Sequence, residues 1–240
     1  MAGITDGKFA LKLIPYGFDV VTIGGYNVDA KTISAGHEIL KRGRNEFDIS
    51  EEDLISTIEH EVKLIKDKYP NIKVSANLRS TAPKPIIVIA TKVKDLDIIE
   101  INCHCRQDEI VNIGCGQGML SDLRKLQDFV LEIVENVRNE QKVSVKIRAN
   151  VPGVDTLDIA KIIEKAGADY LHIDAMKPGR PYADLELIRK IARETNIFVI
   201  GNNSIVDTKS AKKMLDSGAS GISIGRGAIT GKLNFDIFKL

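Results

Sequence analysis

Five short apolar stretches constrain what this chain can fold into more than anything else in it. They are IKVSAN (72–77), DIIEIN (97–102), VSVKI (143–147), YLHID (170–174) and IFVIGN (197–202). Side chains on a strand alternate between its two faces. In VSVKI, Val143, Val145 and Ile147 therefore share one face, and Ser144 and Lys146 the other. In YLHID, Leu171 and Ile173 oppose Tyr170, His172 and Asp174. If such strands line a closed barrel wrapped in helices, the branched face packs outward. Asn77, Asn102, Lys146, His172 and Asn202 then converge on the carboxyl-end mouth, where barrels of this type carry their chemistry. That convergence marks the chain as an enzyme candidate.

Helical periodicity fills the gaps between these stretches. Ser50 and Asp53 start a helix along Ile55, Ile58, Val62, Ile65 and Tyr69. Ser121 opens another along Leu123, Leu126, Val130, Ile133 and Val137. Asp155 caps a third that runs to Gly167, and Ala183–Thr195 and Asp207–Ser217 repeat the pattern. FDVVTI (18–23) and SGISI (220–224) raise the strands to seven, and MAGIT at the start reads as a shortened eighth, first in order. Strands separated by helices pair in parallel through right-handed crossovers. Eight such units favour a single (β/α)8 TIM barrel over a doubly wound sheet. A length of 240 suits one barrel, and the absence of a Pro/Gly-rich linker predicts one domain over 1–240. About fifty residues separate FDVVTI from IKVSAN, room for an extra segment (Gly24–Asp48) between the second and third strands, partly over the mouth. It contains KRGR (41–44), either a solvated helix end with a Gly stop or a contact for a phosphate-bearing substrate.

Charge and cysteine content narrow the setting. With 34 basic against 33 acidic side chains, the net charge of +1 argues against a strongly polyanion-binding protein, though not against a local basic patch. Three cysteines, an odd number, do not read as a disulfide framework and fit a reducing cytoplasm. No apolar run approaches membrane-spanning length, and MAGITDGKFALKLI lacks the layout of a secretion signal. A cytoplasmic protein with no membrane partner is expected.

The last two strands are followed by Gly201-Asn202-Asn203 and Gly225-Arg226-Gly227. Barrels of this type often hold a phosphate at these two loops, on backbone N–H groups. Glycine permits close approach and Arg226 offers a bidentate partner. The alternative is a pair of plain tight turns.

The segment INCHCRQDEIVNIGCGQGML (101–120) resembles a loop of the tRNA-dihydrouridine synthases, in which an Asn at a strand end precedes a Cys by three residues and a Gly-rich stretch follows. Asn102, Cys105 and Gly114-Cys115-Gly116-Gln117-Gly118 fall in that order. MAGITDGKF resembles the family's first loop, and VSVKIR (143–148) its strand carrying the flavin-binding Lys. LHID (171–174), VIGNNSI (199–205) and GISIGRGAI (221–229) resemble later blocks, so the likeness covers most of the chain in one register. It implies an FMN-dependent barrel oxidoreductase, more distantly like the dihydroorotate dehydrogenases. The reaction implied is reduction or oxidation of a C=C bond in a uracil-type ring, with NAD(P)H as electron donor and tRNA or a free pyrimidine as substrate.

By the same resemblance, Met1, Ala2 and Gly3 lie near the flavin, and Asn77 stands where the family has a Gln against the isoalloxazine ring. Asn102 orients ring or substrate, Lys146 sets a cation by N1 and O2, and His172 lies close by. Gly201, Asn202, Asn203, Gly225 and Arg226 hold the cofactor's phosphate end. Cys105 matches the catalytic acid, giving a proton to one carbon while hydride reaches its neighbour, a task suited to a thiol near neutral pH. Read from the residues alone, Lys146 could instead pair with Glu100, and His172 could be a satisfied core histidine. Cys103, His104, Cys105 and Cys115 also invite a metal reading, but one CxC lacks the paired spacing of common zinc sites. No metal is expected, and Cys103 and Cys115 read as packing residues. The chain departs from the family where Ile173 and Asp174 replace a Gly and an Arg after His172, and where Arg106 replaces a Pro. It also ends at Leu240, with no counterpart of the family's C-terminal helical tRNA-gripping domain. The expectation is a short, divergent branch, with a non-catalytic flavin or nucleotide binder as the remaining alternative.

Overall fold

In the computed structural model, which describes residues 1–138 and 140–240, the alternation of faces builds one curled parallel sheet. Its strands are β1 (Val20–Asn27), β2 (Lys73–Arg79), β3 (Ile98–Cys103), β4 (Lys142–Arg148), β5 (Tyr170–Asp174), β6 (Phe198–Asn202) and β7 (Gly221–Ile222). They pair in sequence order, all parallel. α1 (Gly7–Leu13) precedes β1, and α2 (Ala30–Lys41) and α3 (Leu54–Lys68) join β1 to β2. α4 (Pro83–Lys92) joins β2 to β3, and α5 (Asp108–Val111) and α6 (Leu123–Asn136) join β3 to β4. α7 (Thr156–Lys165), α8 (Leu185–Glu194) and α9 (Thr208–Asp216) complete the remaining crossovers. This is the α/β architecture of the TIM-barrel type.

Aspartates set the helix starts. Asp29, Asp122, Asp155, Asp184 and Asp207 each accept an N–H from the first turn of α2, α6, α7, α8 and α9. Such caps satisfy otherwise orphaned donors. The Ser121 start therefore moves one residue, to the Asp122 cap, and the Ser50 start moves to Leu54. Outward strand residues Val143, Val145, Ile147, Leu171 and Ile173 are at most 1% exposed, as are Leu126, Ile159, Ile163 and Ile188 of the surrounding helices. Each such side chain contributes about 1.5–3 kcal/mol on burial.

MAGIT is not a strand, so the sheet has seven strands among the described residues. Met1–Thr5 curls instead: the Ile4 and Thr5 N–H groups both donate to the Met1 carbonyl at 3.0 Å. Its link to the sheet is an antiparallel bridge from Thr5 to Gly24. Gly3 has φ +66°, a left-handed conformation that a strand cannot contain. The extra segment accordingly falls between β1 and β2. Within it, KRGR behaves as a helix end: Lys41 closes α2, and Arg42 pairs with Glu109 of α5 at 2.6 Å. No helix among the described residues is long and apolar enough to cross a membrane.

Candidate active site

The polar face of the sheet points inward, and its register sets Asn102, Lys146 and His172 side by side across β3, β4 and β5. Asn77 lies opposite Glu100 across β2 and β3. Glu100 is the hub. It accepts from Asn77 Nδ2 at 2.7 Å, from His172 Nδ1 at 2.6 Å and from Ser144 Oγ at 3.3 Å. Asn77 Oδ1 in turn accepts from Asn102 Nδ2 at 2.7 Å. Asn102 Oδ1 accepts the backbone N–H groups of His104 (3.0 Å) and Cys105 (2.9 Å). At the other end His172 Nε2 takes a proton donor from Asn202 Nδ2 at 3.2 Å. One hydrogen-bonded chain thus runs from Asn202 to the Cys105 backbone.

The electrostatics follow from this wiring. Burial pushes the Glu100 carboxyl up, but His172, the Lys146 charge and the Asn77 donor hold it well below the usual carboxylate range. Burial and the nearby Lys146 ammonium lower the His172 pKa, so the imidazole is a neutral Nδ1–H donor. Glu100 therefore pairs with His172 rather than with Lys146. Lys146 is half-buried and makes no ion pair or side-chain hydrogen bond among the described residues.

The loop after β3 presents Cys105. Gly116, at φ +58°, lies so close that a Cβ would sit 2.4 Å from the Cys105 carbonyl oxygen. That same oxygen accepts the Gln117 N–H at 2.8 Å. The Cys105 thiol is half-buried, with Arg79 Nη1 3.7 Å from its sulfur. Cys103 and Cys115 are fully buried elsewhere, against Met119 Sδ (3.8 Å) and the Ser80 carbonyl (3.4 Å), and burial pushes both thiols up. They behave as packing groups.

Around the rim, Asp174 gathers the neighbouring donors. It accepts from His104 Nε2 at 2.8 Å, from Asn203 Nδ2 at 2.6 Å and from Arg148 Nη1 at 3.3 Å. Burial pushes its pKa up, but His104, Asn203 and Arg148 hold it at about 2. A carboxyl lowered on folding adds stability above its unfolded pKa and loses it as pH falls through the folded one. Asp174→Asn is therefore expected to remove about 2 kcal/mol of stability at neutral pH and much less near pH 2. Urea midpoints of both proteins at the two pH values check this; parallel acid sensitivity in parent and variant would refute it.

The glycine-rich loops divide in role. Gly201 is buried where a Cβ would meet Met214 Sδ at 2.5 Å, so it serves helix–strand packing. Asn203, at φ +99°, is engaged with Asp174. Gly225 has open space around it, and its N–H and that of the exposed Arg226 make no protein hydrogen bond among the described residues. Met1 and Ala2 are half-buried, the Met1 ammonium donates to the Gly24 carbonyl at 3.1 Å, and Gly3 abuts the Glu46 backbone. Arg79 and Glu46 went unread in the sequence. Continuing the alternation Ser75, Asn77 by one more step puts Arg79 on the inner face, which was the available signal.

Residues 49–231 match the family profile described as dihydrouridine synthase (Dus). An uncharacterized protein of Methanocaldococcus jannaschii is 38% identical over 98% of this chain and 89% of its own length. A probable tRNA-dihydrouridine synthase of Helicobacter pylori is 30% identical over 55% of this chain, but the match spans only 41% of that protein. The solved structure of 2,3-dimethylmalate lyase superposes with a TM-score of 0.59 at 14% identity, over 92% of this chain and 72% of that one, a likeness of fold alone. With three-quarters of its length inside the matched profile, the chain belongs to the dihydrouridine synthase family.

Proposed function

We propose that this chain is an FMN-dependent oxidoreductase that reduces or forms the C=C bond of a uracil-type ring in tRNA, with NAD(P)H as electron donor. The observation that carries the reading is the Lys146 ammonium, which faces the mouth between Asn102 and His172 without an anion of its own. An inward lysine with no carboxylate bonded to it among the described residues suits a ligand that gains negative charge. The unpartnered Gly225 and Arg226 N–H groups, with the Arg226 guanidinium, suit its phosphate. These two groups of donors support FMN as the ligand.

Bound FMN would supply hydride exchange between NAD(P)H and the substrate ring. The protein's own groups do the rest. Lys146 would hold the cofactor's ring and supply a fixed cation for the negative charge it gains on reduction. Asn102 fixes Cys105 by accepting its backbone N–H, and the Cys105 thiol gives a proton to the ring carbon beside the one that takes hydride. Asn202 and His172 hold each other in place, and Asn202 would help hold the cofactor's phosphate end.

Heat release and chromatography of the purified protein are expected to yield one FMN per chain, and a colourless protein that ignores added FMN sinks the proposal. Lys146→Met keeps the stem's packing and removes the charge, so the flavin potential is expected to fall and NAD(P)H-driven reduction to slow. An unchanged potential in a flavin-loaded variant makes Lys146 structural. For the substrate, mass analysis of tRNA from a deletion strain is expected to show loss of dihydrouridine. Intact dihydrouridine favours the second reading, a free pyrimidine, which the net charge of +1 supports.

A further inference from the structure

Arg79 is the largest side chain buried to the full in this protein, at 1% exposure. Taking a guanidinium out of water costs several kcal/mol, roughly, unless its donors are matched. Burial works against its charge, and the ion pair with Glu46 outweighs that. Glu46 Oε1 lies 3.1 Å from Nη1, Glu46 Oε2 is paired with Nη2, and the Gly25 carbonyl accepts from Nη2 at 2.8 Å. Glu46 is itself buried, with its side chain 4% exposed, and it comes from the irregular chain between α2 and α3. The extra segment over the mouth therefore contributes an acid whose work is to hold one arginine.

What that arginine reaches is the reactive thiol. Nη1, already braced by Glu46, lies 3.7 Å from Cys105 Sγ, while Nε has no partner. Arg79 and Cys105 sit on separate elements, one ending β2 and the other in the loop after β3. A donor already in place beside sulfur stabilises negative charge there as it develops, with no rearrangement.

We propose that Arg79 is a positioning residue for Cys105: held by Glu46, it donates to Sγ and stabilises the thiolate left once the proton has been given. This rests on Cys105 as the proton donor. In the reductive direction, bound FMN would supply the hydride, so that one ring carbon gains two electrons and one proton and the π bond opens. The S–H bond then breaks as the neighbouring carbon takes its proton. The thiolate afterwards recovers a proton from water. Arg79 touches only the sulfur in this sequence.

The test needs no substrate and no flavin. Of the three thiols, only Cys105 is partly exposed, so alkylation of the folded full-length protein reports on it, with tandem mass spectrometry locating the adduct. Iodoacetate carries a negative charge and iodoacetamide none, so the ratio of their rates reads the local field rather than access. At neutral pH that ratio is expected to be about three- to tenfold higher in the folded protein than at the same cysteine in the urea-unfolded chain. Arg79→Met is expected to abolish the excess, Arg79→Lys to retain part of it, and Glu46→Gln to leave it in place or raise it. A folded ratio equal to the unfolded one, or an excess that survives Arg79→Met, overturns the proposal. The folded-to-unfolded comparison uses the parent alone and so survives poor folding of any variant. An excess that depends on Arg79 while turnover survives Cys105→Ala refutes the proton-donor reading and leaves the coupling standing. Loss of turnover in Cys105→Ala with no excess refutes the coupling alone.

Discussion

Cys105→Ala is expected to retain FMN and to be reduced by NAD(P)H at close to the parent rate, yet to pass its electrons to a uracil-type substrate about 10²–10⁴ times more slowly. The reason is the division of labour at the mouth. On the proposed mechanism the thiol serves the substrate, with Arg79 beside it, whereas Lys146 and the Gly225–Arg226 loop proposed for the cofactor lie on β4 and after β7. Reduction by NAD(P)H needs no proton from sulfur, and substrate reduction does. Asn102 holds the Cys105 backbone rather than its sulfur, so the loop survives the substitution. Cys103→Ala and Cys115→Ala remove buried sulfurs that face Met119 and Ser80, and are expected to spare both half-reactions. Each should cost about 1 kcal/mol of stability through a small cavity. Stopped-flow traces of the two half-reactions across the three variants provide the check. Equal slowing of both steps in Cys105→Ala would assign that residue to cofactor binding instead.

The second large effect lies beneath the site. Glu100 is 2% exposed and accepts from three separate side chains, Asn77, His172 and Ser144. Glu100→Ala leaves all three donors facing a cavity and removes a carboxylate that is electrostatically coupled to Lys146. Leaving these three buried donors without their acceptor is expected to lower unfolding free energy by about 3–5 kcal/mol, measured from urea midpoints. Glu100→Gln keeps an acceptor and most of the volume, so its loss should be clearly smaller. A cost below about 1 kcal/mol for Glu100→Ala would mean that water replaces the carboxylate without penalty, and that the network does not organise the mouth.

The reach of local pattern is visible in VSVKI and YLHID. Period-two alternation needs only neighbours along the chain, and it assigned Val145 and Ile173 to the helices and Lys146 and His172 to the interior, as found. The capped helix starts were legible for the same reason, since Asp155 and Asp207 act on N–H groups two or three residues away. MAGIT misled because five residues are too few to show a period, and the left-handed Gly3 bends the segment away from the sheet.

Pairing across the interior was beyond that reach. The sequence offered Lys146 as the partner of inward-facing Glu100, and alternation cannot test such a pairing; the structure gives Glu100 to His172 instead. The stagger of β3 against β4 and β5 brings His172 Nδ1 to 2.6 Å although 72 positions separate the two residues. Arg79, Glu46 and Cys105 likewise meet from three elements, 33 and 26 positions from the arginine. Strand periodicity states which face a side chain takes, because that depends on backbone geometry alone. Which groups then touch depends on strand stagger, on the path of the loop between α2 and α3, and on the need to satisfy every buried charge. Those conditions exist only once the barrel has folded.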